Sequence, residues 1–334
     1  MLAAGAEARP ERVSVVVPCF NEVDNVGELH ARIAGVLEGQ GVEWELIFID
    51  NASTDGTREA IVALIARDPR VRLIVNVRNF GPVRSPYHGL LQASGEAVIL
   101  MAADMQDPPE LLPSFLARWR EGARIVLAVK ESSEESPVLY AIRTAYYRLI
   151  SRLSQLDITR HATGFGLYDR VVMDALREIP DTYPYFRGLI HELGFPMARV
   201  TFRQPQRRRG LTKNNFYTLY DQGMLGITNH SKVPLRIATM VGFLVGACSL
   251  VVAFGYLVAK LLLWGQFPNI GQAPTVIGLF FFSSVQLFFI GLLGEYVLAI
   301  HTQVHRRPRV VELERVNFPE INAVVEPPAD GARV

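Results

Sequence analysis

Asp104, Gln106 and Asp107 stand together at the end of the apolar run 97–101, and Pro108, Pro109 and Glu110 follow them. A carboxylate and an amide oxygen two residues apart are hard donors. They suit Mg²⁺ or Mn²⁺, with phosphates completing the shell of the ion. In an open parallel sheet, ligands bind just beyond the carboxyl ends of the strands, so the placement matters as much as the residue types. The same residues also fit a plain polar turn, because Asp ahead of Pro-Pro-Glu is ordinary start-of-helix chemistry. The other strand ends have to choose between the two.

Those ends repeat the pattern. The run 13–17 is followed by Pro18, Asn21 and Glu22, and 46–49 by Asp50, Asn51, Ser53, Thr54, Asp55 and Gly56. The run 71–75 is followed by Asn76, Arg78, Asn79 and Gly81. Each set alone reads as a turn with a helix cap. Four such sets delivered to one edge read as a site. Neither a Gly-x-Gly-x-x-Gly nor a Gly-x-x-x-x-Gly-Lys-Ser/Thr segment is present, so dinucleotide and P-loop chemistry lack their usual support.

The elements that position these residues are short aliphatic runs at 13–17, 46–49, 71–75, 97–101 and 125–129, without strict alternation, which is the pattern of strands buried on both faces. Helical patterns at 26–37, 57–67 and 108–120 fill the gaps, and the alternation predicts a doubly wound, mostly parallel α/β sheet. The chain has 334 residues and a net charge of +1, so nothing global points to nucleic acid. Cys19 and Cys248 lie in very different segments, which argues against a disulfide framework and suits a reducing compartment. The first apolar run is too short for a signal-peptide core.

Mean hydropathy is +0.18, and the apolar excess lies toward the C-terminus. Residues 237–259 and 275–294 form stretches of 23 and 20 residues without a charge, each long enough to cross the hydrocarbon core. Lys232 and Arg236 precede the first, and His305, Arg306, Arg307 and Arg309 follow the second. Basic residues at both ends of the hairpin place both termini on the cytoplasmic side of a plasma (inner) membrane. Aromatic and aliphatic residues from Phe216 to Ile227 recur at helical spacing and predict an amphipathic helix in the headgroup layer. Five regions result: a flexible 1–11, a cytosolic α/β domain at 12–212, a juxtamembrane region at 213–234, a two-helix hairpin at 235–300 and a tail at 301–334, in which 310–316 could add a short element. Gly242, Gly246, Gly291 and Gly294 allow close helix approach, which predicts self-association through the hairpin. Glu295 reads as an interfacial carboxylate. Lys130, Arg143 and Arg148, and then Arg207 to Lys213, are the cations available to phosphates. His161 and His191 are isolated and receive no role.

Four segments together resemble the family 2 glycosyltransferases of GT-A fold, and most of all their polyprenyl-phosphate glycosyltransferase branch, which includes dolichyl-phosphate mannose synthase. They are Val-Val-Pro-Cys-Phe-Asn-Glu at 16–22, Ile-Asp-Asn-Ala-Ser-Thr-Asp-Gly-Thr at 49–57, Arg-Asn-Phe-Gly at 78–81 and Ala-Asp-Met-Gln-Asp-Pro-Pro-Glu at 103–110. The likeness spans about residues 12–310. It implies that Pro18, Asn21, Glu22, Asp50, Asn79 and Asp104 line a nucleotide pocket, and that Asp104 and Gln106 hold Mg²⁺ or Mn²⁺, with Asp104 the catalytic residue. It favours Arg209 and Lys213 as phosphate ligands beside Lys130, Arg143 and Arg148. It implies an inverting transfer of a hexose from a sugar nucleotide, UDP-glucose foremost and GDP-mannose as the alternative, to a membrane polyprenyl phosphate, undecaprenyl phosphate in a bacterium. Two positions depart from the family. Ala102 replaces the first Asp of Asp-x-Asp-x-Gln, so Glu22, Asp107 or water would have to compensate. Thr163-Gly164-Phe165-Gly166 replaces Gly-Asp-Phe-Arg. These losses support a rival reading, a membrane-anchored non-catalytic relative that binds a nucleotide or a partner. A processive synthase is disfavoured because its Gln-x-x-Arg-Trp segment is missing.

Overall fold

The computed structural model describes residues 11–131, 159, 162–205, 224, 228, 231–262, 272–305 and 307–319. Four parallel strands form the centre: β1 (Arg12–Cys19), β2 (Glu43–Asp50), β3 (Val71–Asn76) and β4 (Ala97–Leu100). With β5 (Ile125–Lys130), β6 (Ala162–Asp169), β7 (Met197–Phe202) and β8 (Glu312–Val316) they make an eight-stranded sheet among the described residues, ordered β7-β5-β6-β4-β1-β2-β3-β8. The chain runs outward from β1 through β2 to β3, then returns to place β4 on the other side of β1. That reversal at the carboxyl ends of β1 and β4 is a topological switch point, the position at which open α/β sheets bind ligands.

Helices cover both faces. On one lie α1 (Val23–Glu38), α2 (Thr57–Ile65) and α4 (Leu112–Arg120), with Leu29, Ile33, Ile61 and Phe115 packed on Val13, Val15, Leu46 and Phe48. On the other lie α3 (Gly81–Gln92), α5 (Arg170–Glu178) and α6 (Phe186–Glu192), with Tyr87, Leu90, Met173 and Ile190 packed on Val16, Ile47 and Ile49. Neighbouring residues of β2 thus feed opposite cores, which is why its sequence does not alternate. Each such side chain contributes about 1.5–3 kcal/mol of burial.

Two strands carry no readable signal. In β6, which runs antiparallel to β4 and β5, the sequence is broken by glycines. A Cβ on Gly166 would sit 2.4 Å from the Val126 carbonyl oxygen, so the absence of a side chain is what lets β5 and β6 close. β7 is an edge strand with alternating exposure. The helix expected over 108–120 begins as a 3-10 turn at Pro109–Leu111 before α4.

Beyond the sheet, α7 (Val233–Leu262) and α8 (Gln272–Val304) are long and apolar, each with a stretch of mean hydropathy 2.3. Leu262 and Phe243 are 78% and 76% exposed. Both helices are long and apolar enough to cross a membrane. The amphipathic helix expected before α7 lies, apart from residues 224, 228 and 231–234, outside the described residues.

After α8 the chain returns to the sheet. Arg309 donates to the Asp181 and Ile179 carbonyls, both at 2.7 Å, and Val77 N–H donates to the Val311 carbonyl at 3.1 Å. β8 then pairs antiparallel with β3, starting at Asn76. The membrane hairpin is therefore joined to the carboxyl edge of the sheet. The short element expected within 310–316 is present as a strand of the sheet, Glu312–Val316.

Candidate active site

The β1–α1 and β2–α2 loops are clipped to each other. Asn21 N–H donates to Ser53 Oγ at 2.9 Å and Asn21 Oδ1 accepts Thr54 N–H at 2.8 Å. Glu22 N–H donates to Thr57 Oγ1 at 2.9 Å, and Glu22 Oε2 accepts Asn25 Nδ2–H at 2.6 Å. Asp50 is 1% exposed. Its carboxylate accepts Ser53 N–H at 3.2 Å. Burial raises the Asp50 pKa; Ser53 pulls the other way and Asp55 adds to the rise. Burial, then Asp50, Glu22 and Asp55, also push the Cys19 thiol well up. Negative charge is concentrated at the ends of β1 and β2. Pro18 lies in the last register pairs of β1 with β2.

The β3–α3 loop is organised by Asn51. Its Oδ1 accepts Asn76 Nδ2–H at 3.0 Å and Phe80 N–H at 2.9 Å, while its Nδ2 donates to Asn79 Oδ1 at 2.8 Å. Asn79 Oδ1 also accepts Gly81 N–H at 2.7 Å. Reading the sequence for outward-facing donors picks Asp50 and Asn79 and passes over Asn51, which ties them together.

In the β4–α4 loop, exposure alternates. Ala103, Met105 and Asp107 are buried, while Asp104 and Gln106 face outward, half-buried. Gln106 N–H donates to Asp104 Oδ1 at 3.2 Å. Asp107 Oδ2 accepts Ala102 N–H at 2.9 Å. Burial pushes the Asp107 carboxyl up to about 7, with Asp104 adding to the rise and Ala102 N–H, Lys130 and Arg187 opposing it. Asp107, a candidate substitute for the acid replaced by Ala102, thus closes its own loop through Oδ2. Glu22, the other substitute, is bonded to Asn25.

Among the described residues, four non-glycine residues take left-handed backbone: Asn317 (φ 61°), just after β8, and, at the site edge, Asn21 (φ 57°), Ala52 (φ 62°) and Met105 (φ 62°). The last three occupy the loops after β1, β2 and β4, which are neighbours in the sheet. For Ala and Met this conformation costs about 1–3 kcal/mol and persists where the surroundings impose it, as they do at ligand sites.

Lys130 ends β5, half-buried. Arg187, on α6 and not singled out by sequence reasoning, lies close enough for its charge to act on Asp107. Phe186 packs edge-on against Tyr168 and Tyr87, with ring centroids 5.0 and 6.0 Å apart. His191, with its Nδ1 2.6 Å from the Arg187 carbonyl and Nε2 accepting Thr159 N–H at 2.9 Å, is structural. Arg143, Arg148, Arg209, Lys213 and His161 lie outside the described residues. The segment 163–166 carries no acid, and its Phe165 is core, stacked edge-on against Phe115 at 4.9 Å.

The donor set decides what cation would fit. Among the described residues no group of three or more His, Cys, Asp or Glu could hold a metal. One carboxylate and one amide oxygen, Asp104 and Gln106, face outward. This does not make an all-protein cage. It fits a hard cation that arrives on a diphosphate and takes one or two protein oxygens.

Comparison with known proteins gives one consistent result. The family model described as Glycosyl transferase family 2 matches residues 14–177. An uncharacterized glycosyltransferase of Synechocystis sp. is 31% identical over 89% of this chain and 93% of that protein. The SfII prophage-derived bactoprenol glucosyl transferase of Shigella flexneri is 32% identical over 90% of this chain and 97% of that protein. Among solved structures, glucosyl-3-phosphoglycerate synthase from Mycobacterium tuberculosis is 19% identical, with a TM-score of 0.46, over 65% of this chain and 78% of that one.

Proposed function

The chain belongs to glycosyl transferase family 2, and on that premise we propose that it moves glucose from UDP-glucose to a membrane polyprenyl phosphate, undecaprenyl phosphate in a bacterial membrane, forming a lipid-linked sugar for cell-envelope glycans. The observation that carries this reading is one of placement. The loops after β1, β2, β3 and β4 meet on the sheet edge where the strap from α8 rejoins the domain, at Val77 and Val311. A soluble sugar nucleotide and a lipid phosphate can meet only at the bilayer surface, and that edge faces the anchor. The bactoprenol glucosyl transferase relatives support both glucose and the polyprenyl acceptor.

In this reading Pro18, Asn21, Glu22, Asp50 and Asn79 form the nucleotide side of the cleft, and Asp104 and Gln106 hold Mg²⁺ or Mn²⁺ on the donor diphosphate. The ion, when bound, neutralises charge on the departing UDP. Lys130, with Arg143, Arg148, Arg209 and Lys213, attracts the acceptor phosphate. A phosphate monoester is already anionic near neutral pH, so it needs orientation more than a base. One of its oxygens attacks the anomeric carbon opposite the diphosphate. The bond from that carbon to the diphosphate oxygen breaks, its electron pair leaves with UDP, and the configuration inverts. Both termini and the α/β domain face the cytoplasm, and the hairpin mediates self-association.

Purified full-length protein in detergent, given polyprenyl phosphate and either UDP-glucose or GDP-mannose with and without Mn²⁺, tests the reading. Metal-dependent transfer from UDP-glucose supports it, transfer from GDP-mannose alone replaces the donor, and nucleotide binding without turnover favours a non-catalytic relative.

A further inference from the structure

Two guanidiniums rest on one ring in the loop after β3. Arg78 Cζ lies 4.1 Å from the centroid of Phe80, and Arg84 Cζ lies 5.3 Å from the same centroid and 5.9 Å from that of Tyr183. Their hydrogen bonds go to backbone: Arg78 to the Asn79 carbonyl at 3.2 Å and Arg84 to the Phe80 carbonyl at 3.3 Å. Among the described residues neither meets a carboxylate, whereas Arg72, Arg124 and Arg315 each form an ion pair. Each guanidinium has five N–H donors, so most of this donor capacity faces outward. Burial, and after it the like charge of Arg78, lower the Arg84 pKa.

The pair also stands at a junction. Thr182, next to Tyr183, donates its hydroxyl to the Thr302 carbonyl near the end of α8 at 3.1 Å. Asn79, next to Arg78, is held by Asn51. The cluster therefore joins the foot of the membrane hairpin to the strand-end loops.

We propose that Arg78 and Arg84 form a binding site for the phosphate of a lipid headgroup where the membrane hairpin meets those loops. Paired guanidinium forks grip phosphate through several charge-assisted hydrogen bonds, and the rings of Phe80 and Tyr183 hold the forks in place. The anion relieves the repulsion between them. That the headgroup belongs to the sugar acceptor rests on the function proposed above; the phosphate site itself does not.

The test uses full-length protein in phosphatidylcholine nanodiscs, doped with either a polyprenyl phosphate or phosphatidylglycerol, with bound lipid counted by native mass spectrometry. Wild type is compared with Arg84→Gln and with the Arg78→Gln/Arg84→Gln pair, and folding is checked by thermal melting. The double variant is expected to weaken lipid phosphate binding by about tenfold or more. Loss for polyprenyl phosphate alone identifies the acceptor as occupant, loss for phosphatidylglycerol alone identifies bulk lipid, and loss of both identifies a general headgroup site. Unchanged binding of both lipids overturns the proposal. Because the readout is binding, a wild type that transfers no sugar would refute the proposed function and leave this test standing.

Discussion

Asn51 Nδ2 donates to Asn79 Oδ1 at 2.8 Å, and this contact ties the carboxyl end of β2 to the loop after β3. Replacing Asn51 by Ala also leaves Phe80 N–H without its acceptor and Asn76 Nδ2 with Ser85 Oγ alone. Leaving such groups unsatisfied costs about 1–3 kcal/mol. Asn51→Ala is expected to lower the melting temperature and to weaken UDP-glucose binding, both measurable on the detergent-solubilised protein. Wild-type values in both would show that Asn51 does not organise the loop.

Asp104 faces outward and Asp107 inward, so the two acids separate by experiment. Asp104→Ala is expected to reduce transfer by about a hundredfold or more, the scale seen when one electrostatic stabiliser of a reaction is lost, with melting and membrane insertion unchanged. Asp107→Ala frees the Ala102 N–H and is expected to lower the melting temperature. The reverse pattern would exchange their roles.

The strap from α8 is held by a titratable cluster. Glu312 meets His88 Nε2 at 2.5 Å and is ion-paired with Arg315. Burial works to raise its pKa, but the hydrogen bonds from His88 and Arg315 outweigh it and hold it at about 2. A carboxyl depressed on folding contributes stability that is fully present above its unfolded value, near 4.5, and lost as pH falls through about 2. Hydrogen exchange in 312–316, corrected for intrinsic rates, is expected to accelerate relative to β1 as pH drops from 6 to 3. Glu312→Gln should exchange fast already at pH 6. Equal protection at both pH values in wild type would contradict the assignment.

Gly166 is a steric requirement of the sheet. Its missing Cβ would fall 2.4 Å from the Val126 carbonyl. Gly166→Ala is expected to destabilise by about 1–3 kcal/mol, or several degrees in melting temperature. An unchanged melting temperature would mean that β5 and β6 are not in this register.

The residues show why part of this was legible in the sequence. Strands β1 to β5 bury both faces, so they stand out as uninterrupted aliphatic runs, and the polar groups at their ends mark the site edge. β6 is interrupted by Gly164, which takes a left-handed φ of 93°, and by Gly166, which allows close approach, and both remove hydrophobic signal. β8 is a short, charged edge strand whose place depends on partners in α3 and β3 far away in sequence. Asn51 and Arg187 were missed for the same reason: one acts through residues of another loop, and the other is carried to Asp107 by the packing of Phe186 on Tyr168 and Tyr87. Asp104 and Gln106 stand out in the sequence as polar residues ending an aliphatic run, and in the structure both are half-buried.

The most direct measurement is the passage of label from UDP-[¹⁴C]glucose into the lipid phase in membranes supplied with polyprenyl phosphate, with the anomeric configuration of the product determined. The account predicts label in a mild-acid-labile lipid of inverted configuration, abolished in Asp104→Ala. Retained configuration, or no label in the lipid with any sugar nucleotide, would contradict it.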